Sequence, residues 1–229
     1  MHQAVPTGCD ALDGLLGGGF PINGLTLVYG EAESGKTSLA IQSAVSCART
    51  GKKALFVDTE GTFTTNRLSQ IASRDYDAVA PRIMVITPDT FQEQAKAIDA
   101  LEMYMTKSIR LLVIDTVTTL YRVELETPET TFNLNRELNR QIAVLTQVVK
   151  THRVAALITS QVRTRFQEKR AVEPVAMRVL RFWSDVVLNL RRTDPTHVVT
   201  VLQEKPSPRQ APARCYVRIT RTGIQDHRV

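Results

Sequence analysis

Short apolar runs alternate along the chain with longer amphipathic stretches. Leu25–Tyr29, Ala54–Asp58, Ile83–Ile86, Leu111–Asp115 and Val154–Thr159 are four to six residues long and rich in Val, Ile and Leu. Runs of that length with little polar alternation predict strands buried on both faces. Between them, Lys36–Arg49 follows a glycine turn, and Phe91–Lys107 places Ala95, Ile98, Leu101 and Met105 at helical spacing. Leu134–Lys150 carries Leu134, Leu138, Ile142, Leu145 and Val149 on one stripe. Strand–helix alternation predicts an α/β fold, a twisted and mostly parallel sheet flanked by helices. After residue 185 the texture changes. Val186–Leu190, Val198–Leu202 and Cys215–Ile219 are short β-like runs with turns and no helix between them, and they predict an antiparallel C-terminal extension of the same sheet. The length of 229 residues suits one large domain, and residues 1–229 are expected to form a single core. Two stretches, Val123–Phe132 and Val162–Pro174, read as long loops after predicted strands, at the sheet edge where open α/β folds bind ligands.

Composition narrows the class. An apolar fraction of 43% with 23% charged residues is that of a folded globular chain. Cys9, Cys47 and Cys215 are odd in number and form no CxxC pair, which argues against a disulfide framework or zinc knuckle and for a reducing compartment. With no signal-peptide core and no apolar run of membrane length, the expected location is the cytoplasm. The net charge of +6 is uneven. Residues 1–162 carry 15 basic and 17 acidic side chains, residues 163–229 14 and 6. Such a basic segment is either a solvated surface that aids solubility or a face for a polyanion.

Gly30-Glu31-Ala32-Glu33-Ser34-Gly35-Lys36-Thr37 matches GxxxxGK[ST] in full, and Ser38 follows in the predicted helix. A strand ending at Tyr29 and a helix starting near Lys36 are the context the motif requires. Its glycines let successive backbone N–H groups turn toward phosphate oxygens at a helix N-terminus. Lys36 would bring a compact cation to the β- and γ-phosphates of ATP, and the Thr37 hydroxyl would ligate Mg²⁺. The bland alternative is a glycine turn that happens to carry a lysine. Asp115 closes a buried strand, where a carboxylate is costly unless it meets a partner; Mg²⁺ is one partner, a local turn with Thr116 or Thr118 another. Glu60, just past the strand ending at Asp58, falls on the same rim. It would polarise a water for attack on the γ-phosphate, or serve as a surface turn residue.

Further residues carry a resemblance. Thr7-Gly8, Leu12-Asp13 and Leu15-Leu16-Gly17-Gly18-Gly19 before the P-loop resemble the opening of a RecA-type core, an opening shared with KaiC-type ATPases. Val57-Asp58-Thr59-Glu60-Gly61-Thr62-Phe63 with Arg67-Leu68, Asp115-Thr116-Val117-Thr118 and Ser160-Gln161-Val162 are closer to the archaeal and eukaryotic strand-exchange branch. Pro174-Val175-Ala176, Leu180, Asp185 and Val187-Leu188-Asn189-Leu190 are most similar to its archaeal RadB group. The resemblance implies a RecA-like P-loop ATPase core in which Glu60 is the catalytic base, Arg67 lies on the adenine face and Gln161 senses the γ-phosphate. The loops after Asp115 and Gln161 would face DNA. The second loop agrees on its own terms, because Arg163, Arg165, Lys169 and Arg170 crowd around Phe166, with Arg178 and Arg181 beyond. Cations for phosphates beside an aromatic for base stacking are what single-strand binding needs. The first loop holds Glu124, Glu126 and Glu129 and would repel DNA.

With six residues before Thr7, neither the helical DNA-binding domain of full recombinases nor the Phe-x-x-Ala linker that docks on a neighbouring subunit is expected. Filament growth by that route is therefore not expected, and a homo-oligomer would need other contacts. The expected function is that of a nucleoid-associated accessory protein of recombination and repair. It would bind ATP with Mg²⁺ and single-stranded or double-stranded DNA, hydrolyse ATP weakly and assist a RadA-type recombinase. Lys205 or Arg209 is a candidate cation for a neighbour's site. The rival readings are a KaiC-like signalling ATPase that does not touch DNA, and a protein-interaction module stabilised by ATP.

Overall fold

In a computed structural model the described residues are 4–125, 128–162, 176–193, 197–206 and 213–227, with the side chains of 128–130 outside that set. In chain order the elements are β1 (Ala4–Val5), α1 (Asp10–Leu16), β2 (Phe20–Pro21), β3 (Leu25–Gly30), α2 (Lys36–Arg49), β4 (Lys53–Asp58), α3 (Thr65–Ala72) and α4 (Tyr76–Val79). There follow β5 (Ile83–Ile86), α5 (Phe91–Asp99), α6 (Leu101–Tyr104), β6 (Ile109–Asp115), α7 (Thr119–Val123), α8 (Pro128–His152) and β7 (Ala155–Gln161). The chain closes with α9 (Met177–Trp183), β8 (Val186–Thr193), β9 (Val198–Lys205), β10 (Arg214–Thr220) and β11 (Gly223–Asp226).

Nine described strands form one sheet in the order β11-β10-β9-β8-β3-β7-β6-β4-β5. The apolar runs read as buried strands because their alternate residues serve two cores. Val28, Phe56, Val113 and Leu157 face α2 on one side, while Leu27, Leu55, Leu112 and Ile158 face α5 and α8 on the other. Leu138, Ile142, Leu145 and Val149, the stripe seen in the sequence, are fully buried against that second face.

β8 differs from expectation. Within the large sheet, β9, β10 and β11 are joined by antiparallel pairing, whereas β8 lies parallel to β3. A parallel neighbour needs a crossover, and α9 lies on it. The segment Phe91–Lys107 also breaks, because the chain tightens to an i→i+3 bond from Met103 N to Ala100 O (3.0 Å), and Met105 is already extended. Val123–Phe132 is less of a loop than expected, since α7 ends at Val123 and α8 begins at Pro128. Sequence periodicity did not reveal α1 or α3. The latter is started by the Thr64 hydroxyl, which accepts from Arg67 N at 3.1 Å. No helix among the described residues is long and apolar enough to cross a membrane.

The register assembles one rim. Gly30 is opposite Gln161 and Leu190, and Asp58 is opposite Asp115, so β3, β4, β6 and β7 all deliver their C-terminal residues to the same edge. Leu27 sits fully buried on β3, the strand on which that rim is centred. Leu27→Ala is therefore expected to lower unfolding free energy by about 2–5 kcal/mol. Met103→Ala, at a residue 82% exposed, should change it by no more than about 0.5 kcal/mol. Urea denaturation of both variants checks the pair.

Candidate nucleotide-binding site

The turn after β3 is shaped by what surrounds it. A Cβ on Gly30 would lie 2.3 Å from the Leu190 carbonyl oxygen of β8, so only glycine fits between the strands. Gly35 has φ +92°, and a Cβ there would meet Ile219 of β10 at 3.0 Å. α2 starts at the next residue and directs its first turn into the loop. Lys36 is 6% exposed, and its Nζ donates to the carbonyls of Gly30 (3.0 Å) and Glu31 (2.6 Å). Burial lowers its pKa, while the carboxylates of Asp115, Glu60 and Glu31 act in the opposite sense. The ammonium is thus held at the mouth of the loop, in an acidic surrounding.

Asp115 is wholly buried at the end of β6. Thr159 donates its hydroxyl to Oδ1, and among the described residues Oδ2 has no full hydrogen-bond partner. Burial raises its pKa to about 6; the hydroxyls of Thr159 and Thr37 favour the charged form, and the Glu60 and Asp58 carboxylates oppose it. A buried carboxylate oxygen without a donor, near the first-turn hydroxyl of α2, is a hard oxygen set that fits Mg²⁺.

The segment Asp58-Thr59-Glu60 works as a unit. Asp58 Oδ1 accepts from the backbone N–H of Glu60 (3.3 Å) and Thr62 (3.2 Å), and Oδ2 from that of Phe63 (2.8 Å). Phe63 also packs on Phe56, with ring centroids 4.8 Å apart. Thr59 Oγ1 donates to the Thr116 carbonyl (2.7 Å) and accepts from its N–H (2.9 Å), which ties the end of β4 to that of β6. Glu60 is then presented to Gln161, whose Nε2 donates to Oε1 at 2.6 Å, and to Thr119, whose hydroxyl donates to the same oxygen at 2.6 Å.

A cleft of about 550 Å³ opens over these groups, lined by Lys36, Thr37, Ser38, Glu60, Thr116 and Gln161. Its opposite wall is Arg192 and Thr193 of β8, His197 and Val198 before and in β9, and Ile219 of β10. Sequence reasoning missed this wall. Its residues carry no motif, and only the pairing of β8 with β3 folds the antiparallel strands over the P-loop. Asp58, Thr59 and Thr119 were also unassigned. The first two stand in the Asp-Thr-Glu-Gly run, whose density of hydrogen-bonding side chains was the one available signal.

Other expected residues are placed as follows. Ala32, Glu33 and Gly35 line the cleft, and buried Ser34 receives Lys36 Nζ at 3.5 Å. Glu33 is turned outward, 82% exposed at the side chain, and paired with Arg192 at 3.1 Å; such exposed pairs contribute about 0–1 kcal/mol. Glu31 lines a second cavity, with Tyr29, Arg181 and Glu204. Arg67 stands behind Ser38, donating to its Oγ at 2.8 Å and to the Arg221 carbonyl at 2.7 Å. Lys205 Nζ is engaged within its own chain, on the carbonyls of Arg181 (3.2 Å) and Ser184. Arg163, Arg165, Phe166, Lys169 and Arg170, like Arg209, lie outside the described residues.

A parallel sheet with a P-loop on a central strand, acidic residues on the two strands beyond β7 and a glutamine closing β7 itself define the class of RecA-type P-loop proteins. Known proteins of similar sequence and structure fall in that class and narrow it. The Rad51 family model matches residues 3–227. The DNA repair and recombination protein RadB of Methanococcoides burtonii is 34% identical over 193 residues, 84% of this chain and 85% of that protein. The RadB protein of Thermococcus gammatolerans is 35% identical over 223 residues, 96% of this chain and 97% of that one. The crystal structure of the RadB recombinase superposes with a TM-score of 0.83 at 33% identity, covering 98% of this chain and all of the other. The chain belongs to the Rad51 family, within its RadB group.

The raised pKa of Asp115 has a measurable consequence for the metal-free protein. Its folded value, about 6, lies above that of an unfolded carboxylate, so ionisation opposes folding above about pH 6 and this opposition fades as the pH falls toward 4. Asp115→Asn keeps an acceptor for Thr159 and removes the charge. At pH 7 without nucleotide or metal it should stabilise the fold by roughly 1–3 kcal/mol, with the gain vanishing near pH 4. Thermal melts of both proteins across that range test this.

Proposed function

We propose that this chain, acting as a single RecA-like core, is an ATP- and DNA-binding accessory protein of homologous recombination and repair. It hydrolyses ATP weakly and assists a RadA-type recombinase, in the cytoplasm and on the nucleoid. The observation that carries the reading is the hydrogen bond from Gln161 to Glu60 (2.6 Å). It joins a carboxylate on the nucleotide rim to the last residue of β7, two positions before the basic segment begins. A group that distinguishes ATP from its hydrolysis product at that point can pass the difference directly into a DNA-facing loop.

The residues divide the work. Backbone N–H groups of 30–37 and the start of α2 cradle the phosphates, with Ala32, Glu33, Ser34 and Gly35 contributing main chain. Lys36 exchanges its carbonyl partners for β- and γ-phosphate oxygens. Thr37 and Asp115 would hold Mg²⁺, which neutralises charge on the phosphates when bound. Glu60 orients a water and takes its proton. Arg67, bonded to Ser38, lays its guanidinium on the adenine face. Arg163, Arg165, Lys169 and Arg170 meet DNA phosphates and Phe166 stacks on a base. RadA-type recombinase is the expected protein partner; the RadB relatives are named for DNA repair and recombination.

Lys36→Ala should abolish tight ATP binding in a folded protein. Glu60→Gln should retain binding and lose hydrolysis, by about 10²–10⁴-fold if proton abstraction is the role. Equilibrium binding of a fluorescent ATP analogue and phosphate-release assays separate the two; parent-like turnover by Glu60→Gln rejects the base. For DNA, each phosphate contact contributes roughly −0.7 to the log–log salt slope on single strands. Replacing Arg163, Arg165, Lys169 and Arg170 together by Ala should flatten the slope by up to about 3 units. Phe166→Ala should weaken binding with the slope unchanged. Filter binding across a salt series is decisive: equal slopes and affinities in the parent and the quadruple variant move the DNA site elsewhere.

A further inference from the structure

We propose that Thr119 is a positioning residue for Glu60, so that the helix leading into the 124–127 segment, as well as the strand leading into the basic segment, orients the base. This rests on the reading of Glu60 as the base.

Glu60 is half-buried, and among the described residues the side chains that donate to it all meet one oxygen, Oε1. Oε1 accepts from Gln161 Nε2 and Thr119 Oγ1, each at 2.6 Å. The side-chain donors among the described residues all go to Oε1 and none to Oε2. The proton count fixes the direction of the hydroxyl pair. A threonine hydroxyl has one proton, and that of Thr119 goes to Glu60. Thr119 Oγ1 then accepts from Thr116, 2.5 Å away; the Thr116 hydroxyl also faces Glu60 Oε1, at the longer distance of 3.4 Å. The chain of donation is Thr116 to Thr119 to Glu60.

Each end of this relay is anchored in the fold. Thr116 follows Asp115, is buried, and is held at both backbone polar groups by Thr59. Thr119 is the first residue of α7, so any shift of that helix moves a hydroxyl bonded to Glu60. Gln161 approaches from β7 on the neighbouring strand end. A glutamate side chain has three torsions, and one hydrogen bond to one oxygen leaves the carboxylate free to swing about that contact. Two donors arriving from different elements remove that freedom and leave Oε2 in a single place. Neither donor need touch the phosphates for this effect.

The test is steady-state hydrolysis by Thr119→Val, which keeps the β-branched shape and removes the donor, beside Thr119→Ser, which keeps the donor. Thr119→Val should bind an ATP analogue like the parent, hold KM within about twofold and lose roughly 10–100-fold in kcat, the scale of a misplaced catalytic group. Thr119→Ser should recover most of that loss. Parent-like kcat in Thr119→Val while Glu60→Gln is slow overturns the positioning role and leaves the base intact. Parent-like kcat in Glu60→Gln removes the base and this inference with it. Loss in Thr119→Val that Thr119→Ser does not recover marks a packing effect and also overturns it. Should Thr119→Val fold poorly by circular dichroism, Thr119→Ala replaces it under the same criteria.

Discussion

β3 is paired in parallel on both edges, with β7 on one side and β8 on the other, and its side chains are buried on both faces. That double pairing is the constraint on which the site depends. It leaves room for no side chain at Gly30, whose Cβ would strike the Leu190 carbonyl oxygen, and it obliges the chain to leave the sheet in a tight backbone turn that α2 then continues. The same register sets Gln161 beside Gly30. Once β3 is placed, the phosphate loop and the residue beside Glu60 are placed with it.

Around that turn the charges are arranged at a cost. Lys36 and Asp115 are both withdrawn from water, and desolvation is the largest influence on each, in opposite directions. Neither is fully compensated by the protein. Lys36 rests on neutral carbonyls of its own loop, and one Asp115 oxygen has no full hydrogen-bond partner among the described residues. Groups held this way have more to gain from a polyphosphate and a divalent cation than solvated ones would, because attraction in a water-poor site is stronger than in bulk solvent. Glu60 shows the opposite treatment, with one oxygen held by the side chains of Gln161 and Thr119.

The antiparallel strands do more than close the sheet edge. Through β8 they turn Arg192, Thr193 and His197 over the cleft, and β10 sets Ile219 against Gly35. Glu204 of β9 accepts from Tyr29 at 2.8 Å, Asn189 at 3.0 Å and Arg181 at 2.9 Å. It thereby binds β3, β8 and α9 together beneath the loop. The C-terminal third, which the composition marked only as basic, is thus part of the wall of the nucleotide cleft.

Period and motif determined much of this protein from sequence alone. Strictly local chemistry defines the P-loop, the helix Lys36–Arg49 appears with the same bounds in both readings, and apolar runs mark strands buried on two faces because such burial needs no partner to be identified. The class of fold and the family followed from those features and from the Asp-Thr-Glu-Gly and Ser-Gln-Val runs. Pairing partners were another matter. The parallel join of β8 to β3, the reach of Thr59 to Thr116 and the meeting of Thr119, Gln161 and Glu60 link residues up to 160 positions apart. Side chains that touch across strand ends leave no period along the chain. Their roles depend on register, and register is decided only when the sheet assembles and each buried polar group must find a donor or acceptor among its new neighbours.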